Sequence, residues 1–262
     1  MVFGPEAKAT ASGAPGRRLL LLDKRPAFEL AYWCGTCPIL FERLEGANET
    51  LSLEQLAARL GDGVSGLDET VMEAFGRLLP LGMYVPLLLQ VTPRLVLPVH
   101  EGDYFSEEQV ATWGIDSFWG LPLNPKTPYY RTFETRIDQD ARLFEFVVPM
   151  VPPSLNDRQR VAGHAARLAK SAAPTAVAVS VLDVAQPIDG DESSDYYAHW
   201  ALVHFLLDGH HKMQAAAELG QPLQVLSLLS TEASLAGPKH LARLPDLRAR
   251  PPAAPPPGSG GG

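Results

Sequence analysis

A change of hydrophobic period across a single glycine constrains the fold of this chain more than any other feature. Residues 201–207 are apolar and β-prone, as in a buried strand. After Asp208 and Gly209 the apolar residues recur with the period of a helix, at Met213, Ala216, Ala217 and Leu219. The helix should end at Gly220, and residues 222–229 are predicted to form a second strand. The segment therefore predicts a strand, a tight turn, a helix and a strand.

Strand and helix signals alternate through most of the remaining chain. Residues 84–91 and 94–99 are rich in Val and Leu but are interrupted by prolines, which restricts them to sheet edges or irregular extended chain. Residues 175–184 are β-prone, and Ser52 with Gln55 forms a capping box that starts a helix. Interleaving of this kind indicates the α/β class, here a mixed sheet with helices.

Composition divides the chain into four segments. Residues 1–17 and 246–262 contain many Gly, Pro and Ala residues, and we expect both segments to be disordered. Residues 18–172 form an α/β region of unassigned type. Residues 173–245 hold the module of strand, turn, helix and strand, and we expect the module to pack with the preceding region as one unit.

The charge balance narrows the classes of partner. The chain has 22 basic and 30 acidic residues and a net charge of -8, which repels nucleic-acid phosphates and anionic membranes. No apolar run approaches the roughly 20 residues needed to cross a bilayer. The first residues also lack the apolar core of a secretory signal. We therefore expect a cytoplasmic protein that binds no membrane and does not bind nucleic acid without specificity.

The turn after residue 207 is the strongest candidate for a binding site. The first amides of a helix have no intrahelical acceptor, and the helix dipole adds partial positive charge there. Gly209 lets the backbone approach a ligand, and Lys212 adds a cation on a flexible side chain. On helical spacing, one of His210 and His211 points to the core and the other outward. The pattern predicts an anion or phosphate site at these four residues.

The run Asp208-Gly209-His210-His211-Lys212, with the Ala-rich helix that follows it, resembles the ParB/sulfiredoxin-like superfamily. Within that superfamily the free serine kinases and a large uncharacterised bacterial family are most similar, because both carry paired histidines. The resemblance covers residues 177–229. It implies a strand, a phosphate-carrying turn and a short helix in this part of the chain.

The resemblance also implies a ligand and a reaction. In the superfamily this turn carries nucleotide phosphates, so ATP, ADP or CTP, together with Mg²⁺, are the implied ligands. Phosphoryl transfer or hydrolysis would follow, with Asp208 and His211 as candidate catalytic residues. Lys212 replaces the usual arginine and lacks its bidentate fork. His210 stands where sulfiredoxins place a reactive cysteine, so that chemistry is absent.

Cys34 and Cys37 support an alternative function, that of a redox or zinc-binding protein. The pair precedes residues 39–44, which we expect to begin a helix, and a cysteine at a helix start has a lowered pKa. Over a short segment the pair resembles the thioredoxin active-site motif. The same spacing supplies two thiolates to zinc, with histidines as the further ligands.

A second alternative is a non-enzymatic interaction protein. Aromatic residues and prolines crowd residues 113–130, and we expect a long loop that packs on the core or on a partner. Elsewhere, Glu145 lies between Phe144 and Phe146 on a predicted strand. Alternation along a strand would place Glu145 on the opposite, solvent-exposed face.

Overall fold

Four strands near the start of the chain form an antiparallel sheet in sequence order. They are β1 (Val2–Pro5), β2 (Arg18–Leu22), β3 (Arg25–Ala31) and β4 (Leu40–Arg43). The computed structural model describes residues 2–5, 18–22, 25–31, 40–43, 53–77, 79, 82–113, 127–170, 173–185 and 197–251. Its side chains are described from residue 56 onward, except at residue 113.

Strand β1 differs from the expectation of a disordered leader over residues 1–17. Val2 pairs with Leu21, and the pairing continues to Pro5 opposite Arg18. The pairing gives the short apolar start of the chain a hydrogen-bonding partner that its local composition does not reveal. Residues 6–17 lie outside the described part of the chain.

Strand β4 corrects the helix that was expected after the two cysteines. It pairs with β3 from Phe28 opposite Arg43 to Ala31 opposite Leu40. Because Leu40–Arg43 form a strand and not the expected helix, the argument for a lowered cysteine pKa at a helix start no longer applies. Cys34 and Cys37 themselves lie outside the described residues.

Two helices follow this sheet and share one hydrophobic core cluster. Helix α1 spans Leu53–Asp62 and helix α2 spans Glu69–Gly76. Asp68 caps α2, because its carboxylate accepts a hydrogen bond from the Val71 amide at 3.1 Å. The apolar residues of both helices pack against the strand residues Val177, Leu226 and Leu228.

Seven strands form the central sheet. In chain order they are β5 (Tyr84–Val91), β6 (Arg94–Val96), β7 (Tyr129–Asp138), β8 (Ala141–Pro149), β9 (Thr175–Ala185), β10 (Ala198–Asp208) and β11 (Leu223–Ser230). Their order across the sheet is β5-β11-β9-β10-β8-β7-β6. The pairs β11 with β9 and β10 with β8 are parallel, and the other neighbours are antiparallel. The mixed sheet with helices that the sequence predicted is confirmed.

The two proline-interrupted strands, β5 and β6, occupy the two edges of this sheet, as their prolines indicated. Strand β7 was missed, because its first residues had been assigned to the aromatic loop over residues 113–130. Tyr129 and Tyr130 instead begin the strand and are fully buried. Residues 114–126 lie outside the described part of the chain.

Helices cover both faces of the central sheet. The remaining helices are α3 (Glu108–Trp113), α4 (Arg158–Leu168), α5 (His210–Leu219) and α6 (Pro238–Arg248), with a 3-10 turn at Pro153–Leu155. Met213 of α5 packs on Leu206 and Val225, and Leu244 of α6 packs on Leu202. Leu202 and Leu206 share one face of β10, so α5 and α6 both lie on that face.

The sheet joins the two central segments that composition had separated at residues 172 and 173. Strand β8, from the earlier segment, pairs with β10 from the later one along nine residue pairs, Ala198 to Leu206. The predicted tail from residue 246 also begins too early, because α6 runs to Arg248 with Pro245 inside it. Residues 252–262 lie outside the described part. Within the described residues, none of the helices is long and apolar enough to span a membrane.

Candidate functional site

Gly209 forms the turn between β10 and α5. Its φ of +97° and ψ of 22° lie in the left-handed region, which residues with a Cβ rarely adopt. A Cβ at this position would also lie 2.7 Å from Cβ of Ala176 on β9. Glycine is therefore required twice, for the backbone conformation and for the close approach to the sheet, and it determines where α5 begins.

The first turn of α5 has no side-chain cap. The Met213 amide donates to the Gly209 carbonyl at 2.8 Å, and this is the first bond of the helix. The amides of His210, His211 and Lys212 precede that bond and lie at the positive end of the helix dipole. These are the backbone donors that the sequence predicted for an anion.

Lys212 is placed differently from the flexible surface cation that we expected. Its side chain is only 8% exposed, and Nζ donates to the Thr175 carbonyl at 2.8 Å and to Asp208 Oδ2 at 3.2 Å. An ammonium group has three protons, so one donor remains after these two bonds. The charge is therefore held at a defined point beside the turn, and Asp208, which is 44% exposed, partly balances it.

The tautomer of His211 follows from its backbone partner. The amide of Asp157, which caps α4, donates to Nε2 of His211 at 3.1 Å. A backbone amide is always a donor, so Nε2 must be unprotonated and Nδ1 carries the proton of the neutral ring. Burial lowers the pKa of His211, and the positive charge of Arg160 lowers it further. His211 consequently offers an N–H group at its Nδ1.

His210 is the more deeply buried of the two neighbouring histidines. Burial lowers its pKa to about 4, with Asp208 acting in the opposite direction and His211 in the same one. Its Nε2 is buried without a hydrogen-bond partner. A buried polar atom left in this way is uncommon in folded proteins and requires an explanation, such as a bound water or ligand.

Helix α4 contributes basic residues that the sequence interpretation missed. Burial lowers the pKa of His164 to about 4, and the nearby Lys212, Arg167, His211 and Arg160 act in the same direction. Residues 160, 164 and 167 recur at helical spacing, so the sequence carried a detectable signal, a basic stripe on one face of α4. That stripe gains meaning only when α4 is known to pack beside α5.

Polar contacts fix α4 and α5 to one another. Asp157 caps α4, and its carboxylate accepts bonds from the Gln159 and Arg160 amides. The Asn156 side chain is buried and donates to Gln214 Oε1 at 2.8 Å. At the other end of α5, Arg158 pairs with Glu218 at 2.7 Å. The start of α5 is thereby held against the basic stripe.

The predicted site residues 208–212 thus come together with a second group of basic residues from α4. Within the described residues, no group of three or more His, Cys, Asp or Glu side chains is arranged to hold a metal ion. The cysteine pair and most of the aromatic segment lie outside those residues.

Comparison with known proteins gives no relative for this chain. No protein-family model, no curated protein and no solved structure matches it.

Proposed function

We propose that this protein binds a phosphate-bearing ligand, a nucleotide or another phosphate compound, at the start of α5. The observation that carries the proposal is the uncapped first turn of α5 facing a basic stripe on α4, in a chain whose net charge is -8. Arg160 and Lys212 carry positive charge there, and positive charge at one point of an acidic protein attracts an anion to that point. The resemblance of residues 208–212 to phosphate-carrying turns agrees with this function.

The donors available at the proposed site favour an oxyanion. They are the amides of His210, His211 and Lys212, the third proton of the Lys212 ammonium group, and Nδ1–H of His211. His164 adds its Nε2, since its Nδ1 is buried without a partner. Leaving an acceptor nitrogen buried costs less than burying an N–H, so the proton of His164 belongs on Nε2. Phosphate oxygens accept hydrogen bonds from every one of these groups.

We assign Asp208 and His211 mainly to ligand binding and only secondarily to catalysis. His211 uses its Nε2 lone pair to accept the Asp157 amide, so its free nitrogen is protonated and is a donor rather than a base. Asp208 is held by Lys212 but remains 44% exposed. Its carboxylate is the group that could receive a proton or contact Mg²⁺ if a phosphoryl group is transferred. ATP, ADP and CTP are the nucleotides to test.

Titration calorimetry with inorganic phosphate, ADP, ATP and CTP, with and without Mg²⁺, tests the proposal. Wild-type protein should bind at least one of these ligands with release of heat. The variant Arg160→Gln plus His164→Gln should bind it about tenfold or more weakly, because one cation and one hydrogen-bonding ring of the basic stripe are removed. Arg160 is exposed and His164 is only partly buried, so the fold should survive.

Arg158→Gln supplies the matched control. Arg158 lies on the same helix but pairs with Glu218 at the far end of α5. It should leave the affinity within about twofold of wild type, because an exposed ion pair contributes little. Absence of binding by all four ligands at millimolar concentration would contradict the proposal, as would an equal loss in the two variants.

We also propose a zinc site that includes Cys34 and Cys37 as a second candidate. In sequence, Cys34 and Cys37 fall in the connection between β3 and β4, which pair antiparallel up to Ala31 opposite Leu40. A Cys-x-x-Cys pair in such a connection is a common source of two zinc ligands. Metal analysis of the purified protein and of a Cys34→Ser plus Cys37→Ser variant tests it. Zinc in wild type that is lost from the variant is expected, and a metal-free wild type would contradict it.

A further inference from the structure

A row of polar side chains crosses the central sheet beneath α5 and α6. Each of five neighbouring strands contributes one residue: Thr132 on β7, Glu145 on β8, His204 on β10, Ser180 on β9 and Ser227 on β11. All but Thr132 are completely buried. The expected exposure of Glu145 is therefore wrong, because alternation places it opposite Phe144 on a face that helices cover.

Glu145 is the only acidic member of this row, and two basic groups face it. Nε of Arg248, at the end of α6, lies 2.9 Å from Oε2, and Nε2 of His204 lies 4.0 Å from the same oxygen. Thr132 donates to Oε1 at 2.8 Å. Burial alone would raise the pKa of Glu145, but His204, Arg248 and Thr132 lower it below its ordinary value. Glu145 is thus a buried carboxylate.

The contact with Arg248 is close but poorly aligned. Nε of Arg248 and Oε2 of Glu145 are 2.9 Å apart, yet the angle between them is too poor for a hydrogen bond. We therefore treat the contact as an ion pair without a directed hydrogen bond. His204 Nε2 is also buried without a hydrogen-bond partner. Oε2 of Glu145 therefore has one poorly aligned cationic partner, Arg248, and a second basic group, His204, nearby.

Arg248 and the residues after it form a strap across the sheet. Nη2 of Arg248 donates to the Gln90 carbonyl of β5 at 2.9 Å, and its guanidinium lies 4.5 Å from the centre of the Phe133 ring on β7. Strands β5 and β8 are separated by three strands, so one guanidinium joins them only because the sheet curves around it. Arg250 then donates to the Arg136 and Ile137 carbonyls of β7 at 2.9 Å.

The environment of His204 can satisfy both protonation states of the ring. Its Nδ1 lies 2.5 Å from Ser180 Oγ and 3.1 Å from Ser227 Oγ, and the two serine hydroxyls contact one another. A serine hydroxyl donates to a neutral Nδ1 and, after rotation, accepts from a protonated one. The charged groups that face His204 are Glu145 from β8 and Arg248 from α6. Strands β9 and β11 contribute only the serines, and β7 contributes only Thr132.

We propose that the end of α6 is a proton-operated latch: when His204 takes up a proton it pairs with Glu145, and Arg248 leaves the sheet together with the strap. With neutral His204, the buried cluster of Glu145 and Arg248 has no net charge. A proton on His204 leaves one positive charge in excess, which is costly in a buried site. Arg248 is already 15% exposed, so its departure to solvent restores neutrality. Opening would uncover the concave side of the sheet beside α6.

Hydrogen exchange of the whole chain, analysed by mass spectrometry, tests the latch. The protection of the amides of residues 248–250, corrected for intrinsic exchange rates, should fall about tenfold between about pH 8 and about pH 5.5. In His204→Gln that fall should disappear. In His240→Gln, a control on the same helix that contacts Trp200 instead, it should remain. Equal protection at both ends of the pH range in wild type, or a fall that persists in His204→Gln, overturns the proposal.

A second measurement tests how Arg248 affects proton binding by His204. If proton uptake by His204 releases Arg248, removal of Arg248 must strengthen proton binding by His204. NMR titration of the His204 ring should show a proton affinity about tenfold higher in Arg248→Gln than in Arg250→Gln. If Arg248→Gln does not fold, Arg248→Lys keeps the charge but loses the Gln90 contact and should shift in the same direction. An unchanged affinity contradicts the latch.

Discussion

Two polar regions on the same helix-covered face of the sheet differ in how their charges are satisfied. At the start of α5 the first turn has no side-chain cap, and Asp208 and His211 are partly exposed. In the row of polar residues that crosses the sheet, Glu145 and His204 are completely buried and their partners come from within the chain. The first arrangement suits an external anion, and the second suits an internal exchange of partners.

The largest effect that we expect comes from removing the cation of the buried region. Arg248→Met leaves the Glu145 carboxylate buried without its strong partner, which typically costs about 3 kcal/mol or more of unfolding free energy. The matched variant Arg250→Met removes only hydrogen bonds to two backbone carbonyls and should cost about 1 kcal/mol. Urea unfolding at pH 8 measures both. Equal losses would mean that Glu145 does not depend on Arg248.

A somewhat smaller effect is expected at the turn of the anion site. Gly209→Ala forces a left-handed backbone and a contact with Ala176, and should cost about 2 kcal/mol of unfolding free energy. Gly220→Ala is the control, since Gly220 has a φ of +61° but no atom lies within 4 Å of the added Cβ. Backbone strain alone should then cost about 1 kcal/mol. If both variants lose the same stability, the close packing of the turn on β9 contributes nothing.

The cap that joins α4 to the anion site should have a similar or smaller effect. Asp157→Ala removes the bonds from the carboxylate to the Gln159 and Arg160 amides and should cost about 1 kcal/mol in urea unfolding. Asp68→Ala removes the equivalent cap of α2, away from the site, and should cost about as much. Only Asp157→Ala should also change the affinity for phosphate, because residue 157 positions His211 and Arg160. Weakening by Asp68→Ala would indicate a general loss of stability instead.

The free energy of unfolding should also depend on pH. The pKa values of His164, His199 and His210 are lowered to about 4 from an ordinary 6.5, with burial as the main cause. Below about pH 6.5 the unfolded chain therefore binds protons that the folded chain does not bind. The free energy of unfolding should fall as the pH is lowered from about 6.5 to about 4. Urea midpoints across this range measure the slope, and His164→Gln should reduce it. A flat profile would show that these rings are charged in the folded protein.

Much of the local structure could be predicted from residue patterns. The period change around Gly209 correctly placed β10, α5 and β11, because apolar periodicity reports which side of an element is buried. The prolines near β5 and β6 correctly indicated sheet edges, because proline lacks an amide proton. Patterns failed for β4 and β7, whose short or aromatic segments have no distinctive period, and their strand state depends on pairing with β3 and β8.

The sequence by itself determined the turn of the candidate site, since only glycine can adopt that backbone and unpaired amides must follow it. The tertiary structure alone decided what surrounds the turn. It buried Lys212 against Thr175, placed the basic stripe of α4 beside α5, and enclosed Glu145 between helices and sheet. The physical reason is that a residue's charge state and exposure depend on neighbours that are distant in the chain, and local periodicity carries no information about them.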